Sequence, residues 1–282
     1  MSEIILSHND VLSMLPDRVS DSHKGNYGKI LLLCGSMGYT GAPALAAMGA
    51  LRSGAGLVFL GVPASIYQIE AIKLTEPIVL SLPDTDGKLN KAAVSVITSL
   101  LDTMDALLIG PGLGKSDTVS ELVHTVLKEY SGPVVLDADG INAILAHKDI
   151  LRERTGSTIL TPHLGEFKRL DAHTYRNHVD AAEAFAKQYD VMVVLKGNRT
   201  VITDGEVTYI NHTGNPGMAV GGSGDVLAGI ITSLIGQGID PLRAAACSAW
   251  LHGKAGDICA EELGQYGMLP SDMLSVLPRL MK

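Results

Sequence analysis

Short apolar runs alternate with longer segments of helical spacing along most of the chain. Most of the runs are apolar at successive positions, which is typical of parallel strands covered on both faces. We predict strands at residues 29–35, 56–62, 106–110, 133–138, 157–162 and 191–197. We predict helices at residues 41–53, 91–101, 116–130 and 179–189. This alternation predicts an α/β fold in which helices cover both faces of a mostly parallel sheet.

The pattern changes once, near residue 200. Two β-rich runs, 200–204 and 206–210, flank Asp204-Gly205, a dipeptide that supplies the positive φ angles of a type I′ turn. We therefore predict an antiparallel hairpin with a two-residue turn. A glycine-rich loop follows, and from there to residue 282 the pattern is mainly helical. No linker, charge run or repeat divides the sequence, so we predict a single domain over residues 1–282.

Composition excludes several classes of protein. With 22 basic and 30 acidic residues the net charge is −8, which argues against a protein that coats nucleic acid. Aromatic residues make up 4%, too few for a base-stacking platform. Three widely separated cysteines predict neither a disulfide framework nor a zinc site. Residues 1–16 lack the charge pattern of a signal peptide, and no apolar run is long enough to span a membrane. We expect a cytoplasmic protein without membrane contact.

The candidate chemistry lies in the segment TGNPGMAVGGSGDVLAG, residues 213–229. Its glycines precede a helix whose apolar face we predict from Val226, Leu227, Ile230, Ile231 and Leu234. Backbone N–H groups of Gly221, Gly222, Ser223 and Gly224, together with the helix N-terminus, could form an anion hole for a phosphoryl group. Asp225 follows directly, and a carboxylate there could accept the proton of an attacking hydroxyl.

The pentapeptide GGSGD alone is equally compatible with a tight turn and a capping Asp225. It is not a Walker A loop, because no Lys-Ser/Thr pair follows the last glycine. It is not a Rossmann fingerprint either, because it comes late in the chain and after a hairpin. The long preceding TGNPGM segment favours a ligand-binding loop.

A series of motifs resembles the ADP/ATP-dependent NAD(P)H-hydrate dehydratase family, a branch of the ribokinase-like fold. The motifs occur in this order along nearly the whole chain: HKGNYGK (23–29), GSMGYTGA (35–42), RSGAGLV (52–58), GPGLG (110–114), LDADGIN (136–142), TPHLGEF (161–167), LKGNRT (195–200) and GNPGMAVGGSGDVLAG (214–229). Val220 departs from the pattern, since we expect a small hydroxyl residue there. The resemblance implies a ribokinase-like three-layer sandwich.

The resemblance also implies an activity. Family members restore NADH or NADPH from its hydrate (NADHX or NADPHX), with a nucleoside di- or triphosphate as co-substrate. Catalysis then falls on Asp225, and binding of the hydrate on Ala42, Gly112, His163 and Asp225. Binding of ADP or AMP falls on Lys196, Gly197, Asn198, Arg199, Thr200 and Gly224. We expect the S-epimer as substrate, ADP as co-substrate, Mg²⁺ as cofactor and, from the family's tendency, a homotetramer.

Several assignments stay open from the sequence. Asp137, Asp139 and Glu166 are candidate magnesium ligands at strand ends, but capping roles fit them equally. Asn215 and Met218 are expected to line the nucleotide region without a defined role. Ala244, Cys247, Trp250 and His252 are interpreted as packing residues. A small-molecule kinase of the same fold is the alternative function, and a non-catalytic nucleotide sensor is a third.

Overall fold

The computed structural model describes residues 3–282 and contains one large sheet. Its nine strands lie in the order β11-β10-β9-β8-β7-β6-β1-β2-β3. Neighbours from β3 to β9 are parallel, whereas β10 is antiparallel to both β9 and β11. The strands are β1 (Lys29–Leu33), β2 (Leu57–Pro63), β3 (Ile78–Leu82), β6 (Ala106–Ile109), β7 (Val134–Leu136), β8 (Thr158–Leu160), β9 (Met192–Leu195), β10 (Thr200–Thr203) and β11 (Thr208–Asn211); β4 (Asp84–Thr85) and β5 (Lys88–Leu89) form a separate ribbon.

Helices cover both faces of the sheet. Successive residues of β1 show this division, because Ile30 and Leu32 belong to one buried cluster and Leu31 and Leu33 to the other. The helices are α1 (His8–Met14), α2 (Gly41–Arg52), α3 (Ala64–Lys73), α4 (Ala93–Leu101), α5 (Asp117–Glu129), α6 (Asp139–Ala143), α7 (Ile150–Glu153), α8 (Leu164–Leu170), α9 (His178–Tyr189), α10 (Ser223–Gly236), α11 (Pro241–Leu263) and α12 (Pro270–Leu280). The predicted three-layer α/β fold with a mostly parallel sheet is confirmed.

The six predicted parallel strands and four predicted helices are all present, with ends shifted by a few residues. Several elements were not predicted, among them the helix α3 and the edge strand β3 at one side of the molecule. The strand β3 lies between Pro77 and Pro83, and Ile78 and Ser81 are exposed. Its sequence therefore lacks the continuous buried run that identifies the central strands.

The predicted hairpin exists, but the predicted turn is wrong. Thr203 pairs with Thr208, so four residues rather than two connect β10 and β11. Gly205 has a φ of 93°, but Asp204 does not adopt positive φ, which a type I′ turn requires at both positions. Instead, the Asp204 carboxylate accepts hydrogen bonds from the backbone N–H groups of Glu206 and Val207. This local capping favours the longer loop.

The helix α10 is buried around almost its whole circumference, not on one face as predicted. It packs against α2 at very short range, because a Cβ built on Gly229 would lie 2.1 Å from the Ala46 carbonyl oxygen. On the other helix, a Cβ on Gly49 would lie 2.6 Å from the Val226 carbonyl oxygen. The two glycines therefore bring the helix backbones together, and α10 becomes a central element.

Within residues 3–282, every helix is too short or too polar to span a lipid bilayer. Met1 and Ser2, the first residues of the segment inspected for a signal peptide, lie outside the described residues. All three cysteines are buried and free.

Candidate active site

The carboxyl ends of β1 and β6 lie side by side at the point where the strand order reverses. The chain continues from β1 to β2 on one side, whereas β6 lies on the other side of β1. Open α/β sheets bind ligands at such switch points. The Gly35 N–H donates to the Pro111 carbonyl (2.8 Å), and a Cβ on Gly112 would lie 3.1 Å from the Ala42 Cβ. The structure therefore brings together Ala42 and Gly112, two residues expected to bind the hydrate.

Asp137 lies at the end of β7, and its side chain is only 2% exposed. Its Oδ1 accepts hydrogen bonds from Thr161 Oγ1 (2.7 Å) and Lys196 Nζ (2.8 Å). The loops around it approach closely, since a Cβ on Gly110 would lie 1.7 Å from the Asp137 carbonyl oxygen. Ala138 follows with a φ of 49°, a strained conformation of the kind that concentrates at functional sites.

Lys196 follows β9, next to His163 in a parallel bridge. Its Nζ lies 3.2 Å from the place of a Cβ on Gly224, so the ammonium group faces the start of α10. Burial works to lower the pKa of Lys196, but the pair with Asp137, together with Glu166 and Asp225, raises it overall. The residue therefore provides a fixed positive charge at the centre of the site.

The anion hole predicted at residues 221–224 is an uncapped helix start. Gly222 precedes α10 with a φ of 100°, and no side chain caps the helix there. The Ser223 N–H donates to the Val220 carbonyl (3.3 Å), so Ser223 offers chiefly its hydroxyl group. A Cβ on Gly221 would meet no atom within 4 Å, which leaves this side of the hole open. Val220, at the edge of the predicted anion hole, is 40% exposed.

Asp225 lies in the first turn of α10, directly after the anion hole. Burial raises the pKa of this carboxyl to about 6, and the nearby Asp137 contributes in the same direction, whereas Lys196 lowers it. A carboxylate with a pKa close to the working pH is suited to general-base catalysis. The four elements β7, β9, the glycine-rich loop and α10 thus place one base, one cation and free N–H groups together.

The remaining predicted site residues occupy two neighbouring loops. His163 precedes α8, and its Nδ1 accepts from the Gly165 N–H (2.9 Å), which leaves Nε2 to carry the proton. Its side chain is 57% exposed, and Nε2 lies 3.6 Å from Glu166 Oε2. In the loop after Lys196, Thr200 Oγ1 donates to the Gly197 carbonyl (3.1 Å). Gly197, Asn198 and Arg199 are exposed.

All three candidate magnesium ligands accept hydrogen bonds within the protein. Asp139 accepts from the Gly114 N–H (2.9 Å) and from Asn142 (3.1 Å). Glu166 closes a capping box with the His163 N–H (2.9 Å). Within residues 3–282, no three His, Cys, Asp or Glu side chains are grouped so that they could enclose a metal ion. Asp137 keeps Oδ2 without a hydrogen bond inside the described part of the chain, 3.9 Å from a Cβ on Gly224.

The helix α11 supports the site through residues that the sequence pattern did not identify. The Asp257 carboxylate accepts from the Gly214 N–H (3.1 Å) and from Asn215 Nδ2 (3.1 Å), which fixes the loop before the anion hole. His252, which we expected only to pack, places Nε2 3.4 Å from Ser223 Oγ. Both residues are far from residue 225 in sequence, and no local motif surrounds them.

Comparisons with known proteins identify the family to which the chain belongs. The family model described as NAD(P)H-hydrate dehydratase matches residues 30–279. The bifunctional NAD(P)H-hydrate repair enzyme of Moorella thermoacetica is 44% identical over 277 residues, which cover 96% of this chain and 52% of that protein. The chain thus spans about half the length of the bifunctional relatives that it matches.

Other relatives correspond to the chain over nearly their whole length. The ADP-dependent (S)-NAD(P)H-hydrate dehydratase of Cenarchaeum symbiosum is 33% identical, over all of this chain and 98% of that protein. The crystal structure of the ADP/ATP-dependent NAD(P)H-hydrate dehydratase of Bacillus subtilis, co-crystallised with ATP and Mg²⁺, superposes with a TM-score of 0.84. That protein is 32% identical, over 99% of this chain and 98% of its own. Taken with the α10 site and the ribokinase-like sheet, these matches show that the chain belongs to the NAD(P)H-hydrate dehydratase family.

Proposed function

We propose that the protein is an ADP-dependent dehydratase of the S-epimer of NAD(P)H hydrate. It would restore NADH or NADPH and release AMP and phosphate. The observation that carries this proposal is the position of Asp225, a carboxyl with a raised pKa between the anion hole and the Lys196–Asp137 pair. The names of the relatives that match over their full length support the same activity.

The chemistry follows from the poor leaving ability of hydroxide. Asp225 accepts the proton of the hydrate's hydroxyl group while the hydroxyl oxygen attacks the terminal phosphorus of ADP. The bond from that phosphorus to the bridging oxygen breaks, and AMP leaves. The electron pair of the ring nitrogen then expels phosphate, the ring carbon–oxygen bond breaks, and loss of a ring proton completes the dihydropyridine. Lys196 and the free N–H groups at Gly222 and Gly224 stabilise the charge on the transferring group.

The two substrates would approach this centre from opposite sides. The hydrate would lie at the switch point between β1 and β6, next to Ala42 and Gly112, where the N-terminus of α2 favours its pyrophosphate. The Nε2–H of His163 would donate to the same substrate. ADP would lie along residues 196–200, with Gly224 against its terminal phosphate.

The carboxylate oxygens at this site suit a magnesium ion that is held largely by the nucleotide. Mg²⁺ is usually bound by one or two carboxylates together with substrate phosphates, and not by an all-protein cage. Asp137 Oδ2 is the oxygen best placed to hold it, because it lies 3.9 Å from a Cβ on Gly224, at the start of α10. When bound, the ion neutralises charge on the phosphate oxygens.

The test is to incubate the protein with chemically hydrated NADH, Mg²⁺ and ADP, and to follow the recovery of reduced-nicotinamide absorbance together with AMP. We expect equal amounts of NADH and AMP, and ATP is compared in parallel. Asp225→Asn should keep nucleotide binding but lose turnover by about three orders of magnitude or more. Asp180→Asn changes the same first-turn position of α9 and should leave the rate unchanged.

Other outcomes would overturn the proposal. A stable phosphorylated product would indicate the small-molecule kinase. Nucleotide binding without any reaction would indicate the sensor. Full activity of Asp225→Asn would remove this residue from the mechanism.

Further proposals follow from the family resemblance and from composition. We propose a single domain, a homotetramer and a cytoplasmic location. Light scattering of the purified protein measures the assembly directly, and a monomeric mass would contradict the tetramer.

A further inference from the structure

His252 is a buried imidazole beside the anion hole that the proposed chemistry leaves without a role. Both His252 and Ser223 are 8% exposed, and Nε2 of the histidine lies 3.4 Å from Oγ of the serine. Hydrogen bonds of this length in ligand-free sites commonly shorten when the ligand binds. The side chain therefore faces the hydroxyl group at the first residue of α10.

The backbone that carries His252 is fixed from outside α11. Asn211 Nδ2 donates to the Ala249 carbonyl (3.1 Å), and Thr213 Oγ1 donates to the Trp250 carbonyl (3.0 Å). The Trp250 ring also stacks on His8, with ring centres 5.2 Å apart. The turn before His252 is thus held by the same segment that leads into the glycine-rich loop.

The surroundings also keep the imidazole uncharged. Burial lowers the pKa of His252 to about 4, and the charge of Lys196 acts in the same direction, although the Ser223 backbone raises the pKa in part. A neutral imidazole carries one N–H, and the nitrogen that carries it decides which partner donates. If Nε2 carries the proton, Ser223 Oγ is the acceptor and its own proton is free.

We propose that His252 is a positioning residue of the anion hole, in which Nε2–H donates to Ser223 Oγ and leaves the serine hydroxyl free to donate to the phosphoryl group of the nucleotide. This inference rests on the proposed function, because it needs a phosphoryl group at the start of α10. It would give the hole a side-chain donor in addition to its backbone N–H groups.

Steady-state kinetics with ADP and hydrated NADH test the pair. Ser223→Ala and His252→Leu should each lower kcat/KM for ADP about tenfold, the value of one hydrogen bond to a charged group. The double variant should be no slower than Ser223→Ala alone, because the histidine acts through the serine. His252→Gln keeps an N–H donor at a similar reach and should stay within about threefold of wild type.

A structural role alone would give a different pattern. The inference would be overturned if the losses in the two single variants multiplied in the double variant, or if His252→Leu kept the wild-type rate. In either case the proposed function would still stand, provided that the wild-type protein repairs the hydrate. If wild type neither binds ADP nor repairs the hydrate, the proposed function fails and the inference with it.

Nitrogen-15 NMR gives a readout that does not depend on activity or on the leucine variant folding. The signal of His252, assigned by its loss in His252→Gln, should report a neutral ring protonated at Nε2 from pH 5.5 to 8. A ring protonated at Nδ1 would overturn the inference.

Discussion

In the proposed function, Asp225 is the residue at which folding and catalysis compete most directly. Burial and the nearby Asp137 raise its pKa to about 6. The ionised form is the one that accepts a proton, so the reaction requires the form that burial disfavours. Two consequences for pH dependence follow, one for the rate and one for stability.

The rate should fall as the pH falls through about 6. Below its pKa the Asp225 carboxyl is protonated and cannot act as the base, so kcat/KM should decrease about tenfold per pH unit. Initial rates between pH 4.5 and 8 measure this profile. The affinity of Asp225→Asn for ADP, measured over the same pH range, gives the correction for protonation of the ADP phosphates. A flat corrected profile would contradict the assignment of the base.

Stability should change in the opposite sense. The pKa of Asp225 is higher in the folded protein than its ordinary value of 3.8, so the ionised carboxylate destabilises the fold above about pH 6. Asp225→Asn should therefore raise the free energy of unfolding at pH 7 by about 3 kcal/mol, since each pKa unit corresponds to about 1.4 kcal/mol. This gain should disappear as the pH falls below 4, where the carboxyl is protonated in both states. Urea titrations at both pH values check it; an equal gain at both would contradict it.

The ion pair between Lys196 and Asp137 should matter to the fold as well as to the nucleotide. Lys196→Met removes the cation from a carboxylate that is 2% exposed, and breaking a buried pair costs about 3–5 kcal/mol. Adding Asp137→Asn removes the unpaired charge and should recover most of the loss. Urea unfolding of both variants measures this. A double variant no more stable than Lys196→Met would show that the pair is not what stabilises this region.

At the residue scale, local motifs identified single residues of the site but not the contacts between distant ones, for a physical reason. Asp225 and its anion hole are contiguous in sequence, so glycine spacing and a following helix suffice to indicate them. Lys196 and Asp137 are 59 residues apart, and their 2.8 Å bond exists only because β7, β8 and β9 are neighbours in the sheet. His252 reaches Ser223 from α11, and an apolar helix pattern gives no signal of that contact.

At the scale of elements, two Asp-Gly dipeptides show how tertiary contacts select a turn. Asp86 and Gly87 have φ values of 51° and 73° and form the two-residue turn between β4 and β5. The Gly87 carbonyl accepts from the Met37 N–H (2.9 Å), so this ribbon packs on the loop after β1. Asp204-Gly205 has the same sequence, but its aspartate caps a wider loop. Dipeptide preference alone therefore does not distinguish the two types of turn.

The contact between α2 and α10 should tolerate no side chain at its centre. A Cβ on Gly229 would lie 2.1 Å from a backbone oxygen, which cannot rotate away. Gly229→Ala should therefore lose about 2–3 kcal/mol of stability, even though alanine favours helices. Gly41→Ala, where a Cβ meets nothing within 4 Å, should change stability by about 0.5 kcal/mol or less. Thermal unfolding compares the two, and equal effects would contradict the close contact.

At the scale of the whole molecule, the fold class followed from the alternation of elements, whereas the strand order did not. Apolar runs indicate that strands are buried on both faces, and a run of this kind fits any interior position. The order is decided by which helices fill which face, and that depends on packing such as that of α2 against α10. The switch point between β1 and β6 therefore emerges only from the assembled sheet.

The two buried clusters should unfold as one unit, because a single sheet separates and supports them. Leu32 and Leu33 are adjacent on β1, both fully buried, and contribute to opposite clusters. Leu32→Ala and Leu33→Ala should each cost about 2–5 kcal/mol, and each should shift one and the same thermal transition. Calorimetry at a fixed protein concentration should give one peak whose calorimetric and van't Hoff enthalpies agree per cooperative unit. A second peak in either variant would mean that the faces unfold separately, and the single-domain proposal would then be wrong.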